Sequence, residues 1–170
     1  LLGGQRRSGG LGVEPQHLSL RILGPEAVPH DARPQPPCGP ELRHLLQQVG
    51  GQFTIIHSLD GYDEISLTSD TKVITNEGEQ LFTPEQLGKR MVMPSDIYGG
   101  NTVEEATRIF LSILDGKGTW AQNAVVLANA AMALYSTQNY ATYNDAYHAA
   151  VESLESGSAR AALKKLADMQ

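Results

Sequence analysis

"QFTIIHSLDGYDEISLT", residues 52–68, is the stretch on which the fold turns. Its first half, over residues 53–57, carries β-branched and aromatic side chains and reads as a short buried strand. Asp60, Asp63 and Glu64 then follow within five positions. An acidic turn thus sits at the carboxyl end of a strand, where open α/β sheets place their ligands. Carboxylates this close repel one another unless water, hydrogen-bond donors or a cation offsets the repulsion. In a regular strand Asp63 and Glu64 point to opposite faces. In a turn just after Gly61 both can converge on one point. Magnesium suits such a pair, because it takes one or two carboxylates, keeps several waters and completes its shell with phosphates. A hydrogen-bonded turn that caps nearby backbone donors suits it equally well, and the spacing alone leaves both readings open.

Outward from this stretch the chain is regular on both sides as far back as Leu42. "ELRHLLQQVGG" puts Leu42, Leu45, Leu46 and Val49 on one helical face and ends in glycines, a helix with its stop signal. "EISLT" and "TKVIT" alternate as strands, and "NEG" before "EQLFT" reads as a three-residue hairpin loop closed by Gly78. "TPEQLG" reads as a short helix capped by Thr83, with Pro84 at its first position and Gly88 at its end. In "NTVEEATRIFLSILDGKG", Thr102 and Glu105 form a capping box. Val103, Ala106, Ile109, Phe110, Ile113 and Leu114 make the apolar stripe of that helix, and Gly116 stops it. "TWAQNAVVLANAAMALYST" is apolar on nearly every side, as a helix between layers would be. Two amphipathic helices, about 142–156 and 157–168, close the chain. Strands, a hairpin and several helices imply an α/β layer architecture, with too few strands for a complete sheet.

Residues 1–41 differ from the rest. They hold seven of nine prolines and seven of seventeen glycines, but none of the ten aromatic residues. Arg6, Arg7, Arg21 and Arg33 lie in this segment, which has no lysine. So little apolar periodicity leaves little burial to offset the entropy of ordering, and this segment is expected to be disordered. "LLGGQRRSGG" lacks the strand before and the helix after that a phosphate loop requires. The chain opens on leucine, as a fragment of a longer protein would.

The composition narrows the function classes. A net charge of −6 and a pI near 5.3 argue against a nucleic-acid surface or a polybasic membrane patch. No apolar run approaches the ~18 residues that span a bilayer, and no signal-peptide pattern is present, so a cytoplasmic protein is expected. Cys38 stands alone, which excludes a disulfide framework and a cysteine-based zinc site. His57 ends the strand beside the acidic turn and reads as a hydrogen-bonded spacer. "YGGNTVEEA" feeds a helix N-terminus, but Glu104 and Glu105 would repel a phosphate there, so capping is the better reading. Asn123 and Asn129, six apart in the most apolar helix, must find partners and face different ways.

"HSLDGYDEISLT", "TPEQLG", the glycines at 99–100, "ILDGKG" and "QNAVVLANAAMALY" together closely resemble the C-terminal half of anthranilate phosphoribosyltransferase, in continuous order over roughly residues 42–170. The resemblance implies a small helical domain plus a larger α/β domain with a mainly parallel sheet, of which residues 42–170 are the C-terminal part. It implies transfer of the phosphoribosyl group of phosphoribosyl pyrophosphate to the amine of anthranilate, a step of tryptophan biosynthesis. It further implies a homodimer and a magnesium ion held on the diphosphate by the acidic pair that matches Asp63 and Glu64. The family's glycine-rich diphosphate loop, its Lys-His-Gly-Asn stretch and its anthranilate-binding arginine lie upstream of this segment and are not found in this chain. A related nucleoside phosphorylase or phosphoribosyltransferase with another acceptor is the nearest alternative. A non-catalytic fragment that binds a partner carrying the missing half is the alternative from a different class.

Overall fold

A computed structural model of the chain describes residues 40–169. The disorder expected of residues 1–41 lies outside the described residues, except that residues 40 and 41 open the first helix. The elements run α1 (Pro40–Val49), β1 (Thr54–Ser58), β2 (Thr71–Thr75), β3 (Glu79–Phe82), α2 (Val103–Leu114), α3 (Trp120–Ser136), α4 (Tyr143–Glu155) and α5 (Ser158–Ala167). A single 3-10 turn, Pro94–Ile97, precedes α2.

The three strands form one sheet in the order β1-β2-β3, and both pairings are antiparallel. The mainly parallel sheet implied for the whole domain is therefore not found among the described residues. Ile55 lies opposite Ile74, and Ile56 opposite Val73. Because side chains alternate across a strand, these two pairs face opposite sides of the sheet. On one side Phe53, Ile55 and Ile74 pack with Leu46 of α1. On the other, Val73 joins Ile65, Leu67, Leu87 and Val92 against Ala121, Ala124, Ala128 and Met132 of α3. The sheet is thus covered on both faces, as an α/β layer requires.

α3 can lie so close to the core because its inward positions are alanines: Ala121, Ala124, Ala128 and Ala131 are all buried. Its Thr119–Gln122 capping box satisfies two donors of the first turn, with Gln122 N–H donating to Thr119 Oγ1 at 3.3 Å. α4 packs along α3 and buries Ala146, Ala150 and Leu154, spaced four apart on one face. The β2–β3 hairpin forms as expected, closed by Thr75 N–H donating to Gly78 O at 2.8 Å.

Four local expectations change. "EISLT" is not a strand: bends occupy Asp63 and Glu64, and residues 65–70 pair with no strand. "TPEQLG" makes a turn and no helix, although Thr83 and Gln86 exchange the two capping bonds and Gly88 ends the turn at φ 72°. The stripe of α2 is mostly exposed; Ile113 alone is buried, while Val103 and Phe110 are 78% and 49% exposed. On α1, Leu45 and Val49 are likewise exposed, and it is Leu46 that reaches the core. In each helix the amphipathic pattern is real, and the described residues supply no layer to cover the whole of it.

Candidate active site at the acidic turn

β1 ends at Ser58, whose side chain is fully buried and organises the turn that follows. Its hydroxyl donates to Glu64 O at 2.7 Å and shares a hydrogen bond with Thr71 Oγ1 at 3.2 Å across the β1–β2 ladder. Ser66 N–H and the Ser66 hydroxyl approach the same oxygen at 3.3 and 3.2 Å. Backbone bonds add to this: Ser58 N–H donates to Tyr62 O at 2.8 Å and Leu59 N–H to Asp70 O at 2.9 Å. The loop from 59 to 70 is therefore wound around one buried hydroxyl.

The three carboxylates fall into two roles. Asp60 accepts from the hydroxyls of Thr68 and Ser66, the latter at 3.4 Å, and so holds the loop closed. Asp60 thus holds the turn through side-chain hydroxyls, and not through the backbone donors that the capping reading names. Asp63 and Glu64 are exposed, and among the described residues neither carboxylate accepts a hydrogen bond or joins an ion pair. Glu64 has its pKa raised from 4.5, first by desolvation and then by the like charge of Asp63. Its exposed area makes that desolvation partial, but both causes push the same way. Two adjacent oxygen donors whose negative charges disfavour each other are chemically suited to a hard divalent cation. Among the described residues no cluster of three or more His, Cys, Asp or Glu is arranged to hold a metal, so the pair stands without a third ligand of these types.

The far side of the turn is held by α3. Asn129 Oδ1 accepts from Ile65 N–H at 2.9 Å, and Asn129 Nδ2 donates to Ile65 O at 2.8 Å and to Val125 O at 3.0 Å. Sequence reasoning requires a partner for this half-buried amide but has no signal for which one, because the two residues lie 64 positions apart. Asn123 faces another way, donating to Gly118 O at 3.4 Å. A Cβ at Gly118 would lie 2.3 Å from Asn123 Oδ1, so a side chain there would displace the Asn123 amide.

The remaining candidate residues contribute less. His57 lies opposite Lys72 in the β1–β2 register and makes no side-chain hydrogen bond among the described residues. At "YGGNTVEEA" Thr102 caps the helix as expected, with Glu105 N–H donating to Thr102 Oγ1 at 3.2 Å, but the return half of the box is displaced: the Glu105 carboxylate accepts from Asn101 N–H at 2.7 Å and not from Thr102. A groove of about 630 Å³ lies at the start of α3, lined by Arg90, Met91, Met93, Tyr98 and Trp120. The Arg90 guanidinium stacks 4.2 Å over Trp120 there, and no residue of the acidic turn lines it.

A model of the glycosyl transferase family, a/b domain, matches residues 36–160. The chain belongs to that glycosyl transferase family. Curated relatives agree. An anthranilate phosphoribosyltransferase of Flavobacterium johnsoniae is 48% identical over 126 residues, which is 74% of this chain and 38% of the relative. One of Flavobacterium psychrophilum is 49% identical over 123 residues, 72% of this chain and 37% of the relative. The chain thus spans well under half the length of the glycosyl transferase family members it matches.

Solved structures show the same fold. The crystal structure of the anthranilate phosphoribosyltransferase of Thermus thermophilus aligns with a TM-score of 0.66 at 23% identity, covering 75% of this chain and 40% of that one. The Saccharomyces cerevisiae enzyme in complex with PRPP and Mg aligns with a TM-score of 0.58 at 22% identity, covering 65% and 33%.

Proposed function

We propose that residues 42–170 form the metal-holding part of an anthranilate phosphoribosyltransferase, which transfers the phosphoribosyl group of phosphoribosyl pyrophosphate to anthranilate. The observation that carries this reading is the Asp63–Glu64 pair, adjacent, exposed and free of protein partners among the described residues. It is supported by the names of the relatives and by yeast neighbours in complex with PRPP and Mg and with 4-fluoroanthranilate. The setting we propose for the whole protein is a cytoplasmic homodimer in tryptophan biosynthesis.

The donor set fits magnesium: two hard carboxylate oxygens, with room left for waters and for phosphate oxygens. When bound, the ion supplies positive charge to the departing diphosphate as the bond from sugar carbon to oxygen breaks. Asp63 and Glu64 hold and orient; they do not attack the sugar. The amine of anthranilate forms the new carbon–nitrogen bond. Asp60, tied to Ser66 and Thr68, keeps the loop in the shape that presents the pair.

The test is a chimera in which residues 42–170 replace the matching segment of the Flavobacterium johnsoniae relative. It is expected to turn over, and Asp63→Asn within it to fold normally while kcat/KM falls by about 100-fold or more. If Asp63→Asn instead costs roughly 1 kcal/mol of stability and turnover persists, the pair is a structural cap and the metal role is wrong.

A second reading, a non-catalytic subunit that binds a partner carrying the missing half, is favoured by one observation. The exposed apolar residues of α1 and α2, among them Val49 at 80% and Val103 at 78%, form faces that another layer would cover. Adding the separately expressed upstream part of the relative distinguishes the two: a stable complex that stays inactive supports this second reading.

A further inference from the structure

We propose that Asn129 is a positioning residue for the Asp63–Glu64 pair, acting through the backbone of Ile65. This rests on the metal reading given above. The peptide that joins Glu64 to Ile65 is pinned at both ends: Ser58 Oγ donates to its carbonyl oxygen at 2.7 Å, and its N–H donates to Asn129 Oδ1 at 2.9 Å. Pinning that peptide plane fixes the backbone on which the Glu64 side chain is mounted. The next carbonyl, Ile65 O, is held by Asn129 Nδ2 at 2.8 Å. One side-chain amide thus supplies Ile65 with both bonds that a neighbouring strand would give it.

The orientation of that amide is set by its partners. A donor must face Ile65 O and Val125 O, and an acceptor must face Ile65 N–H. The Val125 bond ties the amide back to its own helix, so the turn is referenced to α3 and not merely to its own loop. Ile65 and Leu67 are fully buried beneath it, which prevents the loop from rotating as a unit. Residues that orient metal ligands from behind commonly change metal affinity by about 10- to 100-fold.

The experiment measures Mn²⁺ binding by the 170-residue chain in the presence of inorganic pyrophosphate, read by electron paramagnetic resonance, with unfolding followed by circular dichroism. Asn129→Leu, which loses all three bonds, is expected to weaken Mn²⁺ binding by about tenfold or more, as Asp63→Asn does. Asn129→Asp keeps an acceptor for Ile65 N–H and is expected to fall between Asn129→Leu and wild type, which keeps the test open should Asn129→Leu fail to fold. Leu154→Ala, a buried truncation on α4 outside the turn's hydrogen bonds, is expected to lower stability and leave Mn²⁺ affinity unchanged. If both Asn129 variants bind Mn²⁺ as wild type does while Asp63→Asn does not, the positioning role is overturned and the metal reading stands. If wild type and Asp63→Asn bind alike, the metal reading fails and the positioning role falls with it.

Discussion

Ser58 shows how much a single hydroxyl can organise. It is fully buried, donates to the Glu64 carbonyl, and is approached by Ser66 and Thr71. Ser58→Ala removes one partner from several buried polar groups at once and leaves them unsatisfied. The expected loss is about 1–3 kcal/mol, measurable by urea unfolding. Glu64 gives a second expectation at this scale. Its folded-state pKa lies above the ordinary 4.5, so the folded chain binds this proton more tightly than the unfolded one. The stability this contributes is fully present below the ordinary value and is lost as pH rises through the raised one. The metal-free chain should therefore lose some Tm as pH rises from 4.5 through the raised value, a loss that Glu64→Gln does not show, with salt reducing the difference because the group is exposed. Equal pH slopes for the two proteins would show that Glu64 does not differ between the folded and unfolded chain.

Elements are legible where their signals are local. The Thr102 cap and the hairpin closed at Gly78 rest on residues within about one turn of each other. "EISLT" reads wrongly as a strand because Ile65 and Leu67 keep strand periodicity while the backbone of Ile65 is satisfied by an amide far along the chain. "TPEQLG" carries every start and stop signal of a helix, but start and stop are too close for a second turn to form. For α2 the stripe itself is readable; what faces it is not, since amphipathicity states that a surface wants cover and not what covers it. Phe110 makes this testable. In the chain alone, where it is 49% exposed, Phe110→Gln is expected to change stability by no more than about 0.5 kcal/mol. In the chimera, if an upstream layer covers α2, the same change should cost several-fold more, on the order of 2 kcal/mol or above. Equal small effects in both would place α2 at a true surface.

At the scale of the molecule, the described residues supply only one side of the site proposed above. The acidic pair is in place, but the glycine-rich loop, the Lys-His-Gly-Asn stretch and the arginine expected for diphosphate and anthranilate are not found in this sequence. The 170-residue chain by itself is accordingly expected to show little or no transfer when supplied with both substrates and magnesium. Turnover comparable with a full-length relative would mean that residues 1–41 supply binding groups of their own. How the existing half acquires its shape has a kinetic side. The bond from Ile65 to Asn129 closes across 64 residues, so the acidic turn cannot take its final form until α3 has docked on the sheet. A contact made that late is expected to be largely absent from the folding transition state. Magnesium with pyrophosphate, recognising only the finished turn, should then slow unfolding while hardly touching the folding rate. The site would act as a latch on a chain already folded, never as a seed for its folding.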